Sequence, residues 1–329
     1  MGERRRRPPV AFIAWSSVSG RSHEIAAALG GEARCYYNRR LVRRLVALRY
    51  LLSALRTVAY LLTRRPRALI VTNPPIFPAL VAYPYARIAR VPLLLDSHPD
   101  AFRSDGPHTR FLGLHAWLAR RSRASLVTTD ELVRRVADWG GTAVTVHEPP
   151  PDWRIEADAT LPSRPLVLVL GTLSADEPTA ATLAAARELA ELDLELTGDT
   201  RRCAPELLAS APENVTFLGF LQGRDYVAAL ERASIAVVLT TWLHWAVPRS
   251  AYDAVYARRP LVVSDSVVLR ELFPHAIPAR NEPDSIAAAV REAVRRHDEL
   301  VAAAPAALVL QDRRWQEQLD RLRLLVATR

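Results

Sequence analysis

P-R-S-A-Y-D-A-V-Y-A-R-R-P-L-V-V-S-D, residues 248 to 265, decides how the rest of this 329-residue chain is placed. A helix begins at Pro248, where the missing N–H of proline costs nothing, and runs directly into the apolar strand Leu261 to Val263. The N–H groups of a first helical turn have no partner inside the helix and attract anions. Asp253 stands one turn on, where a carboxylate can accept hydrogen bonds from the two hydroxyls of a ribose. A helix that merely feeds a buried strand has the same pattern, so the neighbouring segments must decide between the two.

Working outward, strand-like runs and helical patterns alternate. Apolar runs at Val10–Ala14, Ala68–Val71, Pro92–Leu95, Ser125–Thr128 and Ala143–Val146 precede H-E-P-P-P-D-W at residues 147 to 153. A triple proline continues neither a helix nor a central strand and marks a linker. A second series follows, with strands at Leu166–Leu170, Leu192–Leu196, Val215–Leu218, Ile235–Leu239 and Leu261–Val263. Helices are predicted at Thr179–Leu189, Arg224–Ala233, Arg249–Ala257, Asp284–Arg296 and Gln311–Val326. Such βα series imply parallel sheets covered on both faces. The expected fold class is α/β, with two doubly wound domains facing a cleft. Residues 1–150 form the first domain, 151–310 the second, and 311–329 a C-terminal helix that returns to the first. Ligands of open α/β sheets sit at the carboxyl ends of the strands.

All 44 basic residues are arginine, against 35 carboxylates, giving a formal charge of +9 and a pI of about 10.2. This excess favours anionic partners. Nucleic acid is not among those expected, because no interleaved aromatics or known reading motif accompany the charge. Arg4 to Arg7 form a basic run, and Arg39, Arg40, Arg43, Arg44, Arg49 and Arg56 punctuate an apolar segment. That segment reads either as a basic amphipathic helix on an anionic membrane surface or as a core helix with a solvated arginine face. No membrane-spanning segment is expected: the Tyr50–Thr63 run is short and holds Arg56, and prolines interrupt Ala68–Ala86. Cys35 and Cys203 match no metal-ligand spacing. A cytoplasmic protein, peripheral on the inner face of the membrane, is expected.

Residues with chemistry cluster at the predicted strand ends. The loop S-S-V-S-G-R-S-H, residues 16 to 23, offers Ser19, Gly20, Arg21 and Ser22 to a phosphate or a sugar, or caps a helix. Asn73 lies in T-N-P-P-I-F-P, a loop that its prolines stiffen. L-L-L-D-S-H-P-D, residues 93 to 100, sets Asp96, His98 and Asp100 at a strand end, where a histidine beside carboxylates can act as a base. In the second half, Gly171, Thr172 and Glu177 follow a strand; Gly198 allows close backbone approach, and F-L-G-F-L around Gly219 can wall a base pocket.

Taken together, these pieces resemble the GT-B glycosyltransferases of family 4. There E-G-F-G-L-P-x-x-E-A-M-A-x-G-x-P-V-V stands where Pro248–Val263 stands here. Asp253 takes the place of the second acid, while the first falls near His244–Trp245 and is not acidic. The chain is also similar to the dolichol-pathway β-1,4-mannosyltransferase family. The shared motifs are G-R-S at Gly20–Ser22, Q-N-P-P-x-x-P at Thr72–Pro78, D-W-H-N at Asp96–Pro99, Y-D-x-P at His147–Pro150, T-x-D-E at Ser174–Glu177 and P-M-K-x-x-D at Pro248–Asp253. Pro99 replaces that family's asparagine, Ser250 its lysine, and its N-terminal membrane anchor has no counterpart here.

The resemblance implies a GT-B fold and a metal-independent hexosyltransferase with no cofactor. Its co-substrate would be a nucleotide sugar, GDP-mannose-like or UDP-linked, and its acceptor a lipid-linked saccharide or oligosaccharide. Pro248, Arg249, Ser250 and Asp253, with Gly171, Thr172, Glu177, Gly198 and Gly219, would bind the donor. His98, Asp96 or Asp100 would activate the acceptor, or His98 would contact the donor sugar if the reaction retains configuration. The alternative is a catalytically silent GT-B subunit that recruits a partner to the membrane; the missing first acid favours it.

Overall fold

The computed structural model describes residues 7–16, 19–37, 45–106, 108–155 and 163–327. Arg4–Arg6, the basic stretch from Arg39 to Arg44, and Ser17 and Val18 of the first loop lie outside them. The chain divides into two compact units, Met1–Pro149 with Arg314–Arg329, and Pro150–Arg313. Each is a six-stranded sheet covered by helices on both faces, a Rossmann-like arrangement.

In the first unit the strands are β1 (Ala11–Ala14), β2 (Glu32–Cys35), β3 (Leu69–Asn73), β4 (Leu93–Ser97), β5 (Ala124–Val127) and β6 (Ala143–Thr145). All pair in parallel in the order β2-β1-β3-β4-β5-β6. The helices are α1 (Gly20–Ala28), α2 (Val46–Arg64), α3 (Phe77–Ala89), α4 (Leu112–Ala119) and α5 (Asp130–Asp138). Side chains alternate across a strand, so each strand feeds two cores. Ile13, Val71 and Leu95 pack with Leu61 of α2 and Ala79 and Ala82 of α3. Phe12, Ile70, Leu94 and Leu126 pack with Ile25 of α1 and with Trp315, Leu319 and Leu322 from the C-terminal helix.

The second unit has β7 (Leu166–Val169), β8 (Asp193–Thr197), β9 (Val215–Gly219), β10 (Ile235–Val238), β11 (Leu261–Ser264) and β12 (Ile277–Ala279) in the order β12-β11-β10-β7-β8-β9, again parallel. Around it lie α6 (Thr179–Glu188), α7 (Pro205–Ala209), α8 (Arg224–Arg232), α9 (Arg249–Tyr256), α10 (Val267–Leu272) and α11 (Pro283–Arg295). The last helix, α12 (His297–Val326), belongs to the second unit up to Arg313 and to the first from Arg314. Strand order reverses between β1 and β3 in one sheet and between β7 and β10 in the other, which marks where each sheet opens a crevice for ligand.

Four features differ from the expectation. The edge strands β2, E-A-R-C, and β12, I-P-A, are too short and too polar or proline-broken to read as strands; an edge tolerates both. Helix α12 begins at His297 rather than Gln311, because the alanine-rich turns before Gln311 favour helix and Pro305 is carried inside it. Helix α2, at 19 residues, is long and apolar enough to cross a membrane by length and composition, since it starts before Tyr50. It is nevertheless packed along the first unit, with Thr57 accepting from Trp15 Nε1 at 3.0 Å and Tyr60 donating to Glu32 at 2.8 Å. Its buried residues are Ser53, Thr57, Tyr60 and Leu61, whereas Leu48, Leu51, Leu55, Val58 and Leu62, spaced three and four apart, are exposed. Tyr60 and Leu61 join the core, as the core-helix reading expects, while the leucine stripe faces outward, as the amphipathic reading expects.

Candidate functional site

The carboxyl edge of the first sheet is organised by a buried arginine. Arg21, on α1, is 5 % exposed. Its Nε donates to Asp96 Oδ1 and Oδ2 at 3.1 and 3.3 Å, and Nη1 to the His147 carbonyl at 2.9 Å and Glu148 Oε1 at 3.0 Å. Nη2 donates to the Val146 carbonyl at 2.9 Å and lies 3.1 Å from Asp96 Oδ1. Every nitrogen of the guanidinium is thus engaged by the protein. Arg21, expected at a phosphate or acceptor, here ties α1, β4 and the segment after β6 together. Burial works against its charge, but Asp96 and Glu148 outweigh burial and raise its pKa.

Asp96, at the end of β4, is also buried. Burial opposes its ionisation, yet Arg21 and then His98 pull its pKa down to about 2. A carboxylate so held is a poor proton acceptor near neutrality but a strong hydrogen-bond acceptor. His98 Nε2 lies 3.2 Å from Asp96 Oδ2, and the His98 side chain is 39 % exposed. In the neutral ring the Nε2 proton points at Asp96, which leaves Nδ1 with the lone pair. The backbone holds the histidine as well, since its N–H donates to the Asn73 carbonyl at 2.8 Å.

The three residues Asp96, His98 and Asp100 do not converge. Asp100 sits in a 3₁₀ turn, Pro99–Phe102, and faces His108, with Oδ2 to Nε2 at 3.2 Å, and Arg103 at 3.9 Å. There are two Asp–His pairs rather than one trio, because the turn rotates Asp100 away from β4. Asn73 is buried at the end of β3, and its Nδ2 has no hydrogen-bond partner among the described residues. It lines a small cavity with His108 and His115. His115, which sequence inspection missed, has Nε2 2.9 Å from Ser97 Oγ, and burial lowers its pKa to about 4. At the start of α1, Ser19 accepts from the Ser22 N–H at 3.2 Å and its hydroxyl bonds that of Ser22 at 2.6 Å; Gly20 opens the helix. This is the capping alternative for that loop.

In the second unit the loop after β7 closes on itself. Glu177 accepts from the Thr172 N–H at 2.8 Å, the Leu173 N–H at 2.8 Å and Thr172 Oγ1 at 3.0 Å. A Cβ at Gly171 would fall 2.4 Å from Glu177 Oε2, and one at Gly198, φ +133°, would fall 2.7 Å from the Leu173 nitrogen. Both glycines are required for that close approach. Glu177, expected at the donor, places its carboxylate in the amide nest of its own loop, as a bound anion would sit. The Asp176 carbonyl accepts from the Thr241 N–H at 2.7 Å, joining this loop to the one after β10. Gly219 accepts from the Gly198 N–H at 2.9 Å. Phe217 packs into the core while Phe220 is 59 % exposed, so of the expected base-pocket wall only Phe220 stands clear.

Helix α9 begins at Arg249, with Pro248 before it in extended geometry and no side-chain cap on its first amides. Ser250 lies in the same half-buried first turn. Asp253 is buried, with 8 % of its side chain exposed. It accepts from the Tyr226 hydroxyl at 2.9 Å, and Arg249 Nε lies 3.7 Å from Oδ2. Burial and then the Asp253 charge raise the Tyr226 pKa well above its ordinary value. Sequence inspection missed Tyr226; its place in the helix preceding β10 was the only signal available. Among the described residues no group of three or more His, Cys, Asp or Glu is placed to hold a metal ion.

Residues 164–296 match the sequence model of the family described as "Glycosyl transferases group 1". Among solved structures, the chain is similar to sucrose-phosphate synthase (tll1590) from Thermosynechococcus elongatus. The identity is 15 % and the TM-score 0.69, over 96 % of this chain and 100 % of the other. It is likewise similar to Anabaena Alr3699/HepE in complex with UDP and glucose, at 14 % identity and TM-score 0.68, over 95 % and 99 %. A glycosyltransferase from Rickettsia africae ESF-5 matches at 10 % identity and TM-score 0.63, over 95 % and 98 %. No curated protein matches by sequence. The fold is GT-B, built from two Rossmann-like domains.

Proposed function

We propose that this chain is a glycosyltransferase that moves a hexose from a nucleotide diphosphate sugar, GDP-mannose-like or UDP-linked, to a lipid-linked saccharide at a membrane surface. The observation that carries the reading is α9: an uncapped helix start with Arg249 and Asp253 in its first turns, following β10 where the strand order reverses. The free amides and Arg249 suit the diphosphate, because preorganised positive charge is worth most where negative charge grows on a leaving group. Asp253, its rotamer held by Tyr226, takes the ribose hydroxyls. Since Glu177 fills the nest after β7, the diphosphate is left to α9. HepE, of the same fold, was solved with UDP and with UDP-glucose, which supports a nucleotide at this strand edge.

On the first unit, His98 is assigned the acceptor proton through Nδ1. Asp96 orients the ring and stabilises the imidazolium that forms. A base on the acceptor side goes with inversion of the anomeric centre. The outward stripe of α2, bordered by Arg49 and Arg56, supports peripheral docking on a membrane.

The test is thermal stability with GDP, UDP, ADP and dTDP, on the native protein and on Asp253→Ala. A ligand that binds only the folded state raises the midpoint. A rise with one nucleotide that the variant loses supports the donor site and names the base. No rise with any of the four removes it. Nucleotide binding without transfer would favour the silent-subunit reading, for which the self-filled nest at Glu177 is the structural argument.

A further inference from the structure

The first unit carries 28 of the 44 arginines against 12 carboxylates, while the second carries 16 against 23. The excess is therefore local. Much of it gathers at the amino ends of β3, β4 and β5, the edge opposite the candidate site. Two open cavities adjoin there, of about 370 and 480 Å³. Arg7, Arg65, Arg67 and Arg90 line the first; Arg87, Arg90, Arg121 and Arg123 line the second, and among the described residues neither lining includes a carboxylate. Among the described residues none of these arginines makes an ion pair, and all are exposed.

Arginines at helix ends have an ordinary explanation, since a cation near a C-terminus complements the helix dipole. Arg87 and Arg90 at the end of α3, and Arg65 at the end of α2, are of that kind. Arg7, Arg67 and Arg123 are not: they come from the segments leading into β1, β3 and β5. Loops and helix ends thus bring guanidinium groups without a carboxylate partner among the described residues to the same two hollows, although Arg65 donates to the Leu62 carbonyl and Arg121 lies over the Trp117 ring. A guanidinium matches phosphate in shape and charge. The Ser122 hydroxyl oxygen, on the lining of the second cavity, is buried and has no hydrogen-bond partner among the described residues.

The outer lip of the first cavity is Leu62, 61 % exposed, which is also the last residue of the apolar stripe on α2. Helix α2, roughly 28 Å long at 1.5 Å per residue, connects β2 to the parallel β3 and so runs back along the sheet. Leu62 therefore joins the stripe to the first cavity.

We propose that the two arginine cavities bind the phosphate headgroups of anionic phospholipids while the Leu48–Leu62 stripe enters the membrane interface. This deepens the membrane part of the proposed function and is independent of the donor chemistry. The cavities make docking depend on lipid charge, which an apolar stripe alone cannot do.

The experiment is co-sedimentation with phosphatidylcholine vesicles with and without phosphatidylglycerol. The proteins are the native chain, Arg87→Gln/Arg121→Gln/Arg123→Gln, Arg7→Gln/Arg65→Gln/Arg67→Gln, and Leu51→Ser/Leu55→Ser. All substitutions are exposed, and an unchanged thermal midpoint certifies folding. The native chain is expected to prefer phosphatidylglycerol vesicles and to lose them as salt rises. Each triple variant should bind them roughly 100-fold more weakly. The leucine variant should weaken binding while keeping the lipid preference. Arginine variants that bind like the native chain overturn the cavity assignment; if the leucine variant is then weakened, the membrane reading stands without it. A native chain that ignores both vesicles sinks both. Tight binding of random single-stranded RNA without vesicle binding overturns the proposal in favour of a nucleic-acid partner.

Discussion

Gln318 holds His147 at two points. The His147 N–H donates to Gln318 Oε1 at 2.7 Å, and Gln318 Nε2 donates to His147 Nδ1 at 2.8 Å. The His147 carbonyl in turn accepts from Arg21, which grips Asp96, which faces His98. A side chain on the C-terminal helix is thereby linked through four contacts to the proposed base. Replacing Gln318 by Leu removes both bonds and leaves the half-buried His147 groups unsatisfied, at a cost of about 1 kcal/mol. A denaturant midpoint lowered at unchanged slope checks the stability part. A shifted pH profile of transfer, with unchanged nucleotide affinity, checks the link to His98.

Two histidines, buried His115 and half-buried His147, make the fold sensitive to acid. Burial lowers both His115 and His147 to a pKa of about 4, against 6.5 in an unfolded chain. Between those values the unfolded state binds more protons, so stability rises with pH and is lost as pH falls from 6.5 toward 4. The slope is about 1.4 kcal/mol per pH unit for each histidine. Protonated His147 would also set a proton against Gln318 Nε2. Unfolding free energy measured from pH 7 down to 4 should fall steadily; a flat profile would refute the assignment.

Removing one half of the Arg21–Asp96 pair strands a buried charge. Arg21→Met is expected to cost about 3–5 kcal/mol, far more than any exposed arginine. Asp96→Asn should destabilise as well and should lower transfer, because His98 loses the carboxylate that orients it. Equal stability losses for Arg21→Met and for Arg134→Met, whose partner Glu131 is exposed, would contradict the structure.

His98 lies in the first unit, and the proposed donor residues Arg249 and Asp253 lie in the second. In His98→Ala, transfer should fall by roughly 10²–10⁴-fold while the thermal response to nucleotide is retained. A parallel loss of nucleotide binding would place His98 on the donor instead of the acceptor.

Tyr226→Phe removes the hydroxyl that fixes Asp253. Nucleotide affinity should weaken severalfold, and Arg249→Ala should weaken it more, since it removes a cation from the diphosphate side. Calorimetry with the nucleotide chosen by the thermal screen measures both. Unchanged affinity in Arg249→Ala would move the diphosphate away from α9.

The α/β class was legible because buried parallel strands are near-continuous apolar runs, as in Leu93–Leu95 and Leu261–Val263, and need no partner to be recognised. The start of α9 was legible for the same local reason, a proline entering a helix. The strand ends that carry the candidate residues followed once the runs were counted. What lay beyond reach depends on contacts between distant residues. Edge strands β2 and β12 exist only because a neighbour offers a free hydrogen-bonding edge. Arg21 is indistinguishable from a ligand-binding arginine until Asp96, 75 positions away, meets it.

Sequence alone determined the apolar periodicities, the excess of arginine, and the placing of Asp96, His98 and Asp253 at or near strand ends. Tertiary structure decided which face of α2 turned outward, because Ser53 met the Tyr36 carbonyl, Thr57 met Trp15 and Tyr60 met Glu32, while the leucine stripe did not find a core. It also decided that Glu177 turns into its own loop, that Asp100 leaves Asp96 for His108, and that arginines from separate loops and helix ends share two cavities. Periodicity is a property of neighbours along the chain. A charge's role is set by whatever the fold brings within hydrogen-bonding distance of it.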